Sequence, residues 1–140
     1  RADDERCLVT NADTYFETSL SDSLQHLELA ADPCIFIRRA PKDPGLGSVK
    51  VQGDRCFFLG KDPQTVEDPG FVSAGLYVLG AEDMSPTAPT GPFSLEDDFL
   101  KPFSKDNLVR YRIVDGEVID FGTPSGLAKL RAHLAELGSE

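Results

Sequence analysis

Residues 7–13 read Cys7-Leu8-Val9-Thr10-Asn11-Ala12-Asp13, a short apolar run with a β-branched pair that ends in a turn-forming tripeptide. Its length and its Val-Thr pair predict a buried strand, and the Asn and Asp predict that the strand opens into a loop. Open α/β sheets carry their chemistry at the C-terminal ends of buried strands. The segment therefore points both to a fold class and to the end of the sheet where a site belongs.

Working outward, Ser19-Leu20-Ser21-Asp22 resembles a capping box with Asp at the third helical position. Leu20, Leu24, Leu27 and Ala31 then recur at helical spacing until Pro33 stops them. Cys34-Ile35-Phe36-Ile37 follows, apolar and β-rich, so a strand, a helix and a strand make up a unit long enough for a right-handed crossover. Residues 41–47 are a Pro- and Gly-rich loop, and two β-like runs, 48–51 and 55–59, flank Gln52-Gly53-Asp54 as a hairpin. Beyond the linker-like residues 61–70, the most apolar stretch in the chain, Phe71-Val72-Ser73-Ala74-Gly75-Leu76-Tyr77-Val78-Leu79, predicts a central strand. Gly75 within it marks a close approach of another backbone.

Residues 85–92 are a Pro/Thr/Ala surface loop. Ser94 is expected to cap a short acidic helix over 95–101, with Asp97 three residues past the cap and Pro102 ending it. Residues 108–114 and 117–121 flank Asp115-Gly116, a two-residue hairpin signal. Thr123 as cap, Pro124 in the first helical position, Leu127, Leu130, Leu134 and Leu137 along one stripe and Gly138 past the end define an amphipathic helix. The order of elements is that of one α/β domain over 1–140, a Rossmann-like mixed sheet with helices on both faces and inserted β-hairpins.

Composition narrows the function classes. The 140 residues are 40% hydrophobic with nine Phe and three Tyr, enough for a core, and 14 Lys plus Arg stand against 24 Asp plus Glu, a net charge of −10. Such a surface repels nucleic-acid phosphates and anionic lipid, and the longest basic run is Arg38-Arg39. No apolar run nears the roughly 20 residues that span a bilayer, and the opening Arg-Ala-Asp-Asp-Glu-Arg is the reverse of a signal peptide. A soluble, cytoplasmic protein with neither nucleic acid nor membrane as partner is expected. Cys7, Cys34 and Cys56 have no paired spacing and are expected as buried thiols in strands, forming neither a zinc site nor a disulfide framework. His26 and His133 fall beside the apolar stripes of their helices and are expected at the surface, which argues against histidine-centred catalysis.

Two aspartates each close an apolar strand and open into a turn: Asp13, and Asp120 in Val118-Ile119-Asp120-Phe121-Gly122-Thr123-Pro124. Alone, either is a turn or cap residue. If their strands are neighbours, they bring hard carboxylate oxygens into one crevice, a donor set suited to Mg²⁺ and to phosphate-bearing substrates. Lys61 follows a strand and precedes Asp62-Pro63, so it is either an exposed strand-end lysine or a cation reaching phosphate in that crevice. Gly45-Leu46-Gly47 leads into a strand rather than a helix and fails as a dinucleotide fingerprint. Of Arg38 and Arg39, strand alternation sends only one inward.

These residues, in this order, resemble the sugar-1-phosphate nucleotidyltransferases. Leu8-Val9-Thr10-Asn11-Ala12-Asp13 is similar to the family's Asn-Gly-Asp segment, with Ala12 in place of Gly. Leu46-Gly47-Ser48-Val49 resembles its Tyr-Gly-Val-Val, and Phe58-Leu59-Gly60-Lys61 stands where a Glu-Lys pair is usual. Residues 71–79 are similar to the strand that closes over the sugar, Ile119-Asp120-Phe121-Gly122-Thr123-Pro124 to the metal-binding Asp-Gly-Thr motif, and Phe93-Ser94-Leu95-Glu96-Asp97-Asp98-Phe99 to the heptose-1-phosphate guanylyltransferase branch. The resemblance implies transfer of a nucleotidyl group from a nucleoside triphosphate to a sugar-1-phosphate, with GTP and a heptose phosphate as the branch's pair. It implies Mg²⁺ held by Asp13 and Asp120, sugar phosphate contacted by Lys61, and sugar against Gly47 and Ser73. The chain departs from the pattern at Gly60, and it lacks the family's N-terminal strand and glycine-rich loop, because only six residues, five of them charged, precede Cys7. The expectation is therefore the C-terminal, sugar-phosphate- and metal-binding portion of such an enzyme, inactive alone and needing its N-terminal half or a partner chain. Its first strand would then be an unpaired edge that drives oligomerisation. The alternatives are a naturally short, non-catalytic homologue serving as a sugar-phosphate-binding or regulatory subunit, and an unrelated α/β domain.

Overall fold

A computed structural model describes residues 6–17, 19, 21, 32–39, 47–60, 70–84 and 89–139. Leu20, Leu24, Leu27 and Ala31 of the expected first helix, His26, residues 41–46, Lys61 and most of the linker after it, and residues 85–88 lie outside the described residues. The strands are β1 (Arg6–Thr10), β2 (Thr14–Phe16), β3 (Cys34–Arg39), β4 (Ser48–Gln52), β5 (Arg55–Gly60), β6 (Phe71–Gly80), β7 (Arg110–Ile113) and β8 (Val118–Asp120). The helices are α1 (Ala81–Met84), a π-helix (Leu95–Leu100) running into α2 (Lys101–Asp106), and α3 (Pro124–Leu137).

The main sheet is mixed, in the order β5-β4-β6-β3-β7 with β1 also on β6, and β2 and β8 form a separate two-stranded sheet. The apolar run at 71–79 is the central strand expected of it: β6 pairs antiparallel with β1, β3 and β4. Strict alternation of side chains then divides the core in two. Ile35, Ile37, Tyr77 and Leu79 face one side, where Phe99 and Leu100 of the π-helix cover them. Cys34, Phe36, Leu76 and Val78 face the other, where Val118 and Phe16 of the small sheet cover them, with α3 packed on β8 behind. Removing a buried ring such as Phe58 or Phe99 from a core of this kind costs about 3–5 kcal/mol.

The hairpin at Gln52-Gly53-Asp54 forms as the sequence predicts, with Gln52 opposite Arg55. Both helix caps also form: Ser94 Oγ accepts from Asp97 N–H at 3.1 Å, and Thr123 Oγ1 accepts from Gly126 N–H at 3.1 Å. Pro102, expected to end the acidic helix, does not. In the π-helix Lys101 N–H reaches Glu96 O, which shifts the ladder so that Pro102 falls in the first turn of α2, where a missing N–H is harmless. The hairpin expected at Asp115-Gly116 is also absent. β7 pairs in parallel with β3 and β8 antiparallel with β2, because Val114 N–H bonds Ile37 O while Glu17 N–H bonds Glu117 O, and the chain leaves one sheet for the other across the turn.

Two expectations of burial fail. β1 has β6 as its neighbour and an open opposite edge among the described residues, so Leu8 is 40% exposed and Cys7 lies exposed, unlike Cys34 and Cys56. Leu127, Leu134 and Leu137 of α3 are also exposed, since the helix meets only the narrow β2–β8 sheet. His133, expected at the surface, is instead half-buried, its ring edge-on to Tyr15 at 5.6 Å and its Nε2 3.2 Å from Glu17 Oε2.

Candidate functional site

The site begins with a break along one edge of β6. β3 occupies one edge throughout, so β1 and β4 share the other, end to end. At the break, Ser73 N–H donates to Gly47 O at 2.8 Å and Asn11 N–H donates to Gly75 O at 2.9 Å. Gly75 is required here: its φ is +74°, and a Cβ would stand 2.7 Å from Asn11 Nδ2. The close neighbour is the Asn11 side-chain amide, where the sequence led one to expect another backbone. A cleft opens between the two strand ends, lined by Asn11, Gly47, Ser73, Glu96, Arg38 and Asp120 among others. Arg38 faces it while Arg39 lies over the Phe71 ring at 5.7 Å, so one arginine of the pair turns inward as alternation requires.

The second strand pair brings the aspartates together. Asp13 occupies the turn after β1, Thr14 is paired with Asp120, and Phe121 N–H donates to Asp13 O at 2.8 Å. Both carboxylates then converge on Gly122: a Cβ there would lie 2.5 Å from Asp13 Oδ2 and 3.2 Å from Asp120 Oδ1. Asp120 Oδ1 also accepts from Gly122 N–H at 2.9 Å, which fixes its orientation. Two exposed, ionisable, hard-oxygen ligands suit Mg²⁺, which takes one or two carboxylates and fills its remaining positions with water and phosphate oxygens. Among the described residues no three His, Cys, Asp or Glu side chains cluster as a metal site.

Of the residues singled out in the sequence, the structure gathers Gly47, Ser73 and Asp120 on one cleft with Asp13 beside it. Lys61 lies outside the described residues. Two members went unnoticed. Tyr77, fully buried in β6, donates its hydroxyl to Glu96 Oε1, and Ser73 Oγ lies 3.0 Å from the same hydroxyl. Burial first, and then the facing carboxylate, push the Tyr77 phenol well above its ordinary pKa. A Tyr in an otherwise apolar strand was the available signal, because a buried phenol demands a partner. At Gly60, where the resemblance would have a glutamate, an added Cβ would face Asp97 and Lys101 instead, each at 3.2 Å.

The mixed sheet and its helices share their fold with solved sugar-1-phosphate nucleotidyltransferases. The chain is similar in structure to a protein assigned as a glucose-1-phosphate thymidylyltransferase from Bacillus anthracis in complex with sucrose, at a TM-score of 0.77 and 15% identity over 92% of this chain and 54% of that one. A UTP-bound UGPase from Acinetobacter baumannii gives 0.75 and 18% over 94% and 51%, and HddC from Yersinia pseudotuberculosis 0.67 and 22% over 89% and 53%. The chain therefore spans about half the length of these solved structures. No family model and no curated protein matches the sequence. Among the described residues no helix is long and apolar enough to cross a membrane.

Proposed function

We propose that this chain is the sugar-phosphate- and metal-binding portion of a sugar-1-phosphate nucleotidyltransferase. In that reaction a sugar-1-phosphate oxygen bonds to the α-phosphorus of a nucleoside triphosphate while the bond to the departing pyrophosphate breaks. Catalysis of such a transfer is mostly alignment of two anions and neutralisation of their charge. Asp13 and Asp120 are the residues that would hold Mg²⁺, which when bound supplies the positive charge that lets the two phosphates approach. Gly47 and Ser73 would lie against the sugar, and Lys61 would contact its phosphate. The triphosphate cradle would come from the family's glycine-rich segment, which this sequence does not contain, so the chain alone is expected to bind without turning over. Within the heptose-1-phosphate guanylyltransferase branch, GTP and a heptose phosphate are the favoured pair.

The observation that carries the reading is the convergence of Asp13 and Asp120 on Gly122 beside a cleft walled by Gly47 and Ser73. Calorimetric titration of the chain with Mg²⁺ and a sugar-1-phosphate tests it. Binding of the sugar phosphate is expected to require Mg²⁺, and Asp13→Asn or Asp120→Asn to weaken Mg²⁺ by roughly tenfold or more, as loss of a charged ligand should. Metal-independent binding that survives both substitutions would contradict it.

A further inference from the structure

We infer that His133 and Glu17 form a clamp that sets the seat of α3 on β2 and, through it, the position of Asp120, so that protonating His133 tightens the proposed Mg²⁺ site. This rests on the reading of Asp13 and Asp120 as metal ligands and adds to it the pair that positions one of them. The two arms of the clamp start at the aspartates. Glu17 follows Asp13 by four residues across β2, about 13 Å at the rise of a strand. His133 lies nine residues past Pro124, about 14 Å along α3 from its start after Asp120. Strand and helix leave the aspartates and meet again where His133 Nε2 stands 3.2 Å from Glu17 Oε2, with the Tyr15 ring edge-on to the imidazole at 5.6 Å.

The first turn of α3 couples the far end to the near one. Gly126 lies so close to the Asp120 carbonyl that a Cβ there would collide with it, and Gly126 N–H is held by the Thr123 cap at 3.1 Å. A tilt of α3 therefore presses on the residue that carries the carboxylate. His133 Nε2 is shut off from solvent and makes no aligned hydrogen bond, Glu17 being near but off its line. A neutral imidazole gains little from such a contact, whereas an imidazolium gains a Coulomb attraction that needs no alignment. The other charges around it among the described residues are Glu117 before β8, which Lys129 meets at 3.7 Å, and Lys129 and Glu136 themselves, one turn either side on α3. Of these residue types only imidazole changes charge between about pH 6 and 8. His133 is thus a positioning residue whose charge state reaches the metal through the helix.

The sign of the pH dependence makes the inference testable. Through-space repulsion between an imidazolium and Mg²⁺, and protonation of the metal's carboxylates, both weaken Mg²⁺ as the pH falls, whereas the clamp strengthens it. The intact chain is titrated calorimetrically with Mg²⁺ at about pH 6 and pH 8, on either side of the imidazole range, using the parent, His133→Gln, Glu17→Gln and the double variant. The parent should bind Mg²⁺ about two- to fivefold more tightly at the lower pH, the scale of a partly exposed ion pair. Each single variant should lose that difference, and the double variant should lose no more than either, since the two residues act as one unit. Should His133→Gln fail to fold, Glu17→Gln tests the same pair. A parent whose affinity is flat or weaker at the lower pH, or a difference that survives in a folded His133→Gln or Glu17→Gln, overturns the clamp and leaves the metal reading standing. So does a fall in thermal midpoint in the variants with the pH difference intact, the mark of a merely structural contact. A parent that binds no Mg²⁺, or Asp120→Asn that binds it as well as the parent, overturns both.

Discussion

Asp13 and Asp120 meet because Gly122 has no side chain to hold their carboxylates apart, a relation that depends on a strand pairing more than a hundred residues apart in the chain. Alone, each aspartate reads as a turn or cap residue; only the expectation that their strands are neighbours singled out the pair, and Ser73 and Gly47 were named through resemblance. Glu96 was not, because Leu95-Glu96-Asp97-Asp98 reads as an evenly acidic helix start and nothing local separates Glu96 from its neighbours. Only the fold, by bringing Tyr77 beneath it, does so. The cysteines show the same limit: all three have apolar neighbours, yet Cys7 is exposed while burial pushes the Cys34 and Cys56 thiols up to about 12. Ellman's reagent at pH 8 should therefore modify one thiol in the native chain and three after unfolding. Because the two buried pKa values lie above those of the unfolded chain, the stability they carry is complete below about pH 9 and is lost as the pH rises toward 12. Denaturation midpoints should fall across that window, and rapid reaction of all three native thiols would contradict the assignment.

At the scale of elements, what local chemistry dictates was readable and what partners dictate was not. The caps at Ser94 and Thr123, the Gln52-Gly53-Asp54 hairpin and the β6 run all follow from signals within a few residues. Asp115-Gly116 is an equally good local signal, yet β7 and β8 go to different sheets, since long-range pairing with β3 and β2 buries Val114 and Val118 on the shared core. Pro102 is the converse case, a breaker accommodated by a one-residue shift of the helical ladder. β1 is the element with most left undone. Its edge, open among the described residues, and its half-exposed Leu8 are a template for another strand. The chain should accordingly self-associate with rising concentration in sedimentation experiments, and Leu8→Lys should suppress this with a change in stability of about 0.5 kcal/mol or less, as for an exposed site. A parent that stays monomeric at high concentration would count against an edge made for a partner.

The molecule as a whole corresponds to about half of each solved structure it resembles. Under the proposed function it would supply the two carboxylates and the wall that meets the sugar, and with a charge of −10 the cations a triphosphate needs would come from the other portion. A complete centre would form when the nucleotide-binding portion of a full-length nucleotidyltransferase supplies a strand to the open edge of β1 and a glycine-rich loop beside Asp13. The most direct measurement is pyrophosphate release from a nucleoside triphosphate and a sugar-1-phosphate by the chain so complemented, with Mg²⁺ present. The account predicts release that neither portion gives alone and that Asp13→Asn or Asp120→Asn lowers by roughly a hundredfold, the scale of a lost charge-stabilising group. A complemented, folded assembly that releases no pyrophosphate, or whose rate stays within a few-fold after both substitutions, would contradict it.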